Sequence, residues 1–308
     1  MKRILNYING KLIAPKNSKY IDVLGLNIFG ASNVPNEKLI YSANILAQYL
    51  DNDSDGNPDN QLVYDELIRS NASMIITFEN DADDLIDSLP YRFHYLVDNG
   101  LLTVQDLYVE EINPNYVNSP SSQPFDATLE DVLHLITHNG YSKAYPEIFG
   151  EYPGTQISNY MDIARGGQFL NPPWNNYPPT AWYTYDDYTC DYECMGMEYL
   201  YWCIASNMGA ISNVCNQIDT EWDLCTPTLF QSIDTTMYNI ITAPQYKLPQ
   251  FLPDGNYCPN ISYLEESYSV KKLVSIVNVL GETTNLKNNT ILLYIYDDGT
   301  VKKIFNLY

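Results

Sequence analysis

Two of the three histidines, His134 and His138, stand four residues apart in the stretch TLEDVLHLITHNGY. Positions i and i+4 share a helix face, so both imidazoles can reach one metal ion. Glu130, one turn earlier, extends the pattern to E-x-x-x-H-x-x-x-H. A catalytic zinc takes three protein ligands and keeps a position for water, so another ligand has to come from elsewhere. Glu198, in the apolar stretch MGMEYLYW, is the first choice, with Asp162 and Asp187 as alternatives. Zincin peptidases carry a glutamate directly after the first histidine, as base for the attacking water. Here that position is Leu135. Glu130 then becomes the candidate to orient or activate water, although it lies about 6 Å along the helix axis from His134. Tyr185 is a candidate oxyanion donor, a role that needs only a phenol near the metal.

A second constellation is the run LDNDSDGNPDN, in which Asp51, Asp53, Asp55, Asn57 and Asp59 alternate and Gly56 follows the third acid. Oxygen ligands two residues apart on a tight loop converge on a hard cation, and the glycine permits the turn that gathers them. Helical patterns on both sides make the loop resemble an EF-hand and point to calcium. The twelfth position, where an EF-hand has a bidentate glutamate, is Leu62; Asp65 or Glu66 would have to reach back. Like charges this dense repel one another unless a cation neutralises them, and a structural role for the ion is expected.

The stretch NEKLIYSANILAQYL (36–50) has helical apolar spacing after Pro35, and a second helix is expected over about 60–70. Residues 72–78 read as a buried strand, DADDLIDSL as a short acidic helix and 100–111 as extended chain. The histidine helix is expected to start on Thr128 as N-cap and to stop at Gly140. The Pro-, Gly- and Tyr-rich stretch 145–189 reads as irregular, 192–212 as a long apolar helix, and 216–223 and 227–241 as further helices. The last forty-odd residues change to strand periodicity, with the acidic pair and glycine at 297–299 as a hairpin turn.

The chain of 308 residues carries 38 Asp+Glu against 16 Lys+Arg, a formal net charge of −22. Such a surface repels phosphate backbones and anionic lipid, which argues against nucleic-acid partners, and no apolar run reaches the ~20 residues of a membrane-spanning helix. Tyr is abundant, 28 against nine Phe, which suits a polar, hydrogen-bonding surface. Six cysteines fall between Cys190 and Cys258, with no paired C-x-x-C units for a zinc ribbon. Cys190 with Cys194 and Cys215 with Cys225 can each close a local loop, while Cys203 sits in an apolar helical stretch as a buried thiol. The sequons at Asn71, Asn260 and Asn288 fit secretion; the N-terminal MKRIL starts like a leader, but Asn6, Asn9, Gly10 and Lys11 break its apolar segment. An extracytoplasmic or secreted location is the expectation.

The strings LDNDSDGNPDN, EDVLHLITHNGYSKAYPEIFG, MDIARGGQF and AWYTYDDYTCDYECMGMEYLYW resemble a poorly characterised family of zincin-like, metal-dependent proteins over about residues 20–257. The resemblance implies a metallopeptidase-like helix bearing His134 and His138, with Glu198 as a further ligand. Separately, residues 270–308 are similar to the C-terminal β tail that serves type IX secretion substrates as a sorting signal. The resulting expectation is an α+β chain: a mostly helical, zincin-like metal-binding domain over 1–258, with its calcium-type loop at 51–59, and a small β-rich module over 259–308. The function expected is a zinc-dependent hydrolase, peptidase-like and stabilised by calcium, acting on a peptide or protein. The alternative is a non-catalytic, calcium-binding, disulfide-bonded surface or structural protein.

Overall fold

The computed structural model describes residues 7–8, 11–12, 19–89, 91–120, 123–173, 176–258, 273–284, 291–297, 299 and 301–305. The sequons at 260 and 288 and most of the leader-like N-terminus lie outside the described residues. The chain divides into two compact units, one up to Asn260 and one from Ile261.

The first unit is mixed α/β. A two-residue pair, β1 (Tyr7–Ile8) with β2 (Lys11–Leu12), precedes the hairpin of β3 (Lys19–Val23) and β4 (Leu26–Gly30). The hairpin turns on Leu24 and Gly25, both at positive φ, the backbone a two-residue connection with strand-compatible twist needs. The chain then crosses through α1 (Asn36–Leu50) and α2 (Gln61–Arg69) to β5 (Ser73–Thr77), which lies parallel to β4. A second crossover through α3 (Ala82–Ser88) and α4 (Tyr91–Asp98) brings β6 (Val104–Tyr108) parallel to β5. The sheet order is β3-β4-β5-β6. Every residue of β5 is buried, as expected for a strand paired on both edges in a covered sheet.

The remaining helices are α5 (Thr128–Ile136), α6 (Ser142–Ala144), α7 (Pro146–Phe149), α8 (Gln156–Ala164), α9 (Tyr192–Met208), α10 (Pro227–Ile233) and α11 (Thr235–Ile241). Helix α5 packs on α1, on β5 and β6, and on α9. It is therefore buried from Val132 through Ile136, with Glu130 and Asp131 only partly exposed. Helix α9 is apolar around its whole circumference and buried from Glu198 to Ser206, the pattern of a central helix rather than a surface one. Glu198 is a carboxylate carried into that core.

Four expectations are corrected. Thr128 lies inside α5, and Asp126 captures the start of the helix instead: its Oδ1 accepts from the backbone N–H groups of Asn113 and Thr128, and its Oδ2 from the Tyr41 hydroxyl. Gly140 does not stop the helix. Residues Thr137–Tyr141 form a π-helical turn that runs on into α6. The stretch 145–189 contains α7 and α8, and α8 is capped by the Thr155 hydroxyl at the Ser158 N–H. Residues 216–223 give only a 3₁₀ turn at Cys215–Gln217, held by the disulfide to Cys225.

The disulfides are Cys190–Cys194, at the entry to α9, and Cys215–Cys225. Cys203 is a buried thiol and Cys258 an exposed one. Among the described residues no helix is long and apolar enough to cross a membrane. The second unit is an antiparallel meander of β7 (Leu273–Asn278), β8 (Ile291–Tyr296) and β9 (Val301–Phe305). The Gly299 N–H bonds back to the Tyr296 carbonyl at the β8–β9 turn.

Candidate metal centre

Helices α5 and α9 together place three donors at one point. Glu130, His134 and Glu198 each offer a ligand atom within 4.8 Å of the other two. The His134 Nε2 lies 3.4 Å from Glu198 Oε1 and 3.7 Å from Glu130 Oε1. His134 is only 4 % exposed, yet neither of its ring nitrogens makes an aligned hydrogen bond with any described residue. The imidazole is instead the ion-pair partner of both carboxylates, a place that a cation could take. Burial opposes the imidazolium form, but Glu198 and then Glu130 outweigh it and hold the His134 pKa well above its ordinary value. In the absence of a cation, the ring proton is the counter-charge of the two acids. Metal binding would displace it and release a proton.

Further carboxylates surround the cluster. Asp131 accepts from the Gln105 amide at 3.0 Å, and burial, followed by Glu130, pushes its pKa up to about 8. Glu221 is pushed up to about 7, first by burial and then by Asp186, Glu198, Glu130 and Asp187. Its position follows from a short ladder beside α9: Tyr183 bridges Trp222, the Thr184 N–H bonds to the Glu221 carbonyl, and the Tyr183 hydroxyl donates to the Met195 carbonyl. That ladder joins the Tyr-rich segment to α9 one turn before Glu198.

The expected ligands divide. Glu130, His134 and Glu198 converge, while His138 turns away. It lies on the π-helical turn, 44 % exposed, with Nδ1 2.7 Å from Oε2 of buried Glu151. Asp187 is exposed and accepts from the backbone and hydroxyl of Thr189. Asp162 lies on α8 in the field of Arg165. Tyr185 is half-buried; burial and then Glu198 raise its phenol, which keeps it a hydrogen-bond donor at neutral pH. Glu221 and Tyr201 escaped the sequence reading. Tyr201 sits one turn beyond Glu198, a spacing visible in the sequence, whereas nothing in sequence links Glu221 to α5.

No protein family, curated protein or solved structure matches this chain. The chemistry of the site therefore rests on its own geometry. One imidazole and two carboxylates suit a first-row transition ion, and three protein donors leave positions for water and substrate.

The acidic loop between α1 and α2 forms a second group, of Asp51, Asp53 and Asp59. Gly56 adopts φ +93°, and Ser54 +58°, which makes the tight turn. Asp51, fully buried at the end of α1, accepts from the N–H groups of Asp55 and Gly56 and from the Tyr257 hydroxyl. Asp59 accepts the Asn52 N–H. Asp55 is not part of the group; its Oδ1 accepts from the Asn57 N–H and side-chain amide. Burial and the neighbouring Asp53 and Asp51 raise the Asp59 carboxyl, against the Asn52 N–H and Lys247, which lower it.

Proposed function

We propose that Glu130, His134 and Glu198 hold a divalent transition ion, zinc in the first instance, and that the protein is a metal-dependent hydrolase acting on peptide substrates. The observation that carries this reading is the convergence of Glu198 and Glu130 on the Nε2 of the buried His134 ring. Bound there, the ion would polarise a carbonyl and make water acidic enough to attack it. The residues of the chain divide the remaining work. Leu135 is buried and apolar, so the role of proton acceptor falls to another residue. We assign that role to Glu221. Tyr185 donates to the developing oxyanion. The zincin-like resemblance and the two disulfides support a peptidase-like, extracytoplasmic assignment.

The Asp51–Asp59 loop is proposed as a separate calcium site, on the convergence of Asp51, Asp53 and Asp59 around the Gly56 turn. A ligand that binds only the native state raises its stability, so calcium added to chelated protein should raise Tm, and Asp53→Asn with Asp59→Asn should remove the effect.

Metal content and peptide hydrolysis of the purified chain, beside His134→Ala, test the hydrolase. About one transition ion per chain and measurable hydrolysis, both lost in the variant, are expected. Zinc retained by His134→Ala would remove the site assignment. Calcium without a transition ion would favour the second reading, a non-catalytic, calcium-stabilised surface protein braced by its disulfides.

A further inference from the structure

Between Tyr185 and helix α9 the chain runs exposed through Asp186, Asp187, Tyr188 and Thr189, and Asp191 is exposed as well. Cys190 alone in that run is buried, at 2 % exposure, and it is bonded to Cys194 in the first turn of α9. The hydrogen bonds of Thr189 and of the Cys190 N–H go to Asp187, within the run itself. The ring that the disulfide closes contains Asp191, the N-cap of α9, whose Oδ1 accepts the Cys194 N–H at 3.1 Å. The disulfide therefore pins the cap of the helix. One turn beyond Cys194, on the same face, stands Glu198, with its Oε1 3.4 Å from the Nε2 of His134. Of the two cysteines Cys194 is the more exposed, so an incoming thiolate meets it first. Accessible disulfides are the ones that exchange.

We propose that Cys190–Cys194 is a redox latch on the metal centre: closed, it seats Glu198 for tight binding, and open, it leaves the centre weak. The proposal rests on the metal-centre reading above and adds its regulation. Thiols stay reduced in the cytosol and pair in oxidising compartments. A chain made in the first and exported to the second carries a slack centre until it arrives. Closure is thiol–disulfide exchange. The Cys190 and Cys194 thiols give up two electrons and two protons, and a small-molecule disulfide takes them and becomes two thiols. Opening is the reverse, driven by a low-molecular-weight thiol. Helix ends depend on their caps. With the ring open, Asp191 and the first turn of α9 move with the exposed run, and Glu198 loses its fixed approach to His134.

The test uses the full chain, oxidised or reduced with glutathione. Free thiols are alkylated with iodoacetamide and located by peptide mass spectrometry, so that neither released sulfur can hold the ion. After the glutathione is removed, zinc affinity is read by competition with a chromogenic chelator. Reduction should open Cys190–Cys194 in the folded protein and weaken zinc binding about 10–100-fold, the effect of losing support around a ligand. Reoxidation of a sample that was not alkylated should restore it. Cys190→Ser with Cys194→Ser should show the weak state without reductant, whereas Cys215→Ser with Cys225→Ser should keep the tight one. A Cys190–Cys194 bond that opens only when the chain unfolds overturns the latch. So does unchanged zinc affinity with the bond open, or equal weakening in the two serine pairs, and each of these leaves the metal centre standing. Oxidised protein that binds no zinc at a site removed by His134→Ala ends the metal centre and the latch together.

Discussion

His134 and His138 differ by one helical turn and have separate fates. The first is enclosed between α5 and α9 beside two carboxylates, and the second reaches out to Glu151. The pairing decides what each substitution does. His138→Ala should leave transition-metal content unchanged and cost about 1–3 kcal/mol of stability, because Glu151 is left buried without this partner. Denaturant midpoints and metal analysis on one sample measure both, and loss of the metal would return His138 to the ligand set. Glu221 is the residue on which the catalytic reading turns. Glu221→Gln keeps the side-chain shape and removes the proton acceptor, so hydrolysis should fall about 10²–10⁴-fold with folding and metal content preserved. Unchanged turnover would assign the proton to another group.

At the scale of elements, His134 lies on α5 and His138 on the π-helical turn Thr137–Tyr141. Such turns insert one residue into a helix and recur at functional sites. The E-x-x-x-H-x-x-x-H spacing assumes an unbroken α-helix and does not reveal the insertion. The turn is also where α2 comes closest: a Cβ on Gly140 would meet Val63 Cγ1 at 2.6 Å. Gly140→Ala should therefore cost about 1–3 kcal/mol through overpacking, read as a fall in denaturant midpoint, and should reduce metal affinity as α5 shifts against α9. An unaffected midpoint would mean that α2 yields freely. Helices α1, α2 and α9 were legible because each follows an apolar period or an apolar run with clear ends. Helices α7 and α8 were not, because Pro, Gly and Tyr dominate their segment and tertiary packing, rather than propensity, makes them helical.

For the whole molecule, the dominant fact is acid concentrated around one cluster. Asp131 and Glu221 hold protons in the folded state up to about pH 8 and about pH 7 that the unfolded chain releases near pH 4. The raised His134 acts in the same direction. The folded state then binds more protons than the unfolded one, so these groups stabilise it at low pH and that contribution is lost as pH rises from about 4 to about 8. Metal-free protein should thus become less stable across that window. Asp131→Asn should flatten the slope, and a saturating transition ion should reverse the loss by neutralising the carboxylates. Chemical denaturation at stepped pH, with and without the ion, follows all three; stability that climbs through this range in the metal-free protein would contradict the charge placement.

Local pattern determined much of this protein: the helix–acidic loop–helix unit, the strand at 73–77, the two disulfide pairs, and a helix carrying Glu130 and His134. Each depends on periodicity or spacing within a few residues, and such signals survive in any tertiary setting. The sequence also offers Glu198, more than sixty residues on, as a further ligand carried by the next long apolar helix. Only the tertiary structure decided that His138 pairs with Glu151, that Asp55 accepts from Asn57, and that Tyr201 packs against His134. Those outcomes depend on which helix faces meet and on where a single inserted residue turns a side chain. Packing sets both, and packing is shared by distant segments rather than encoded in any one of them.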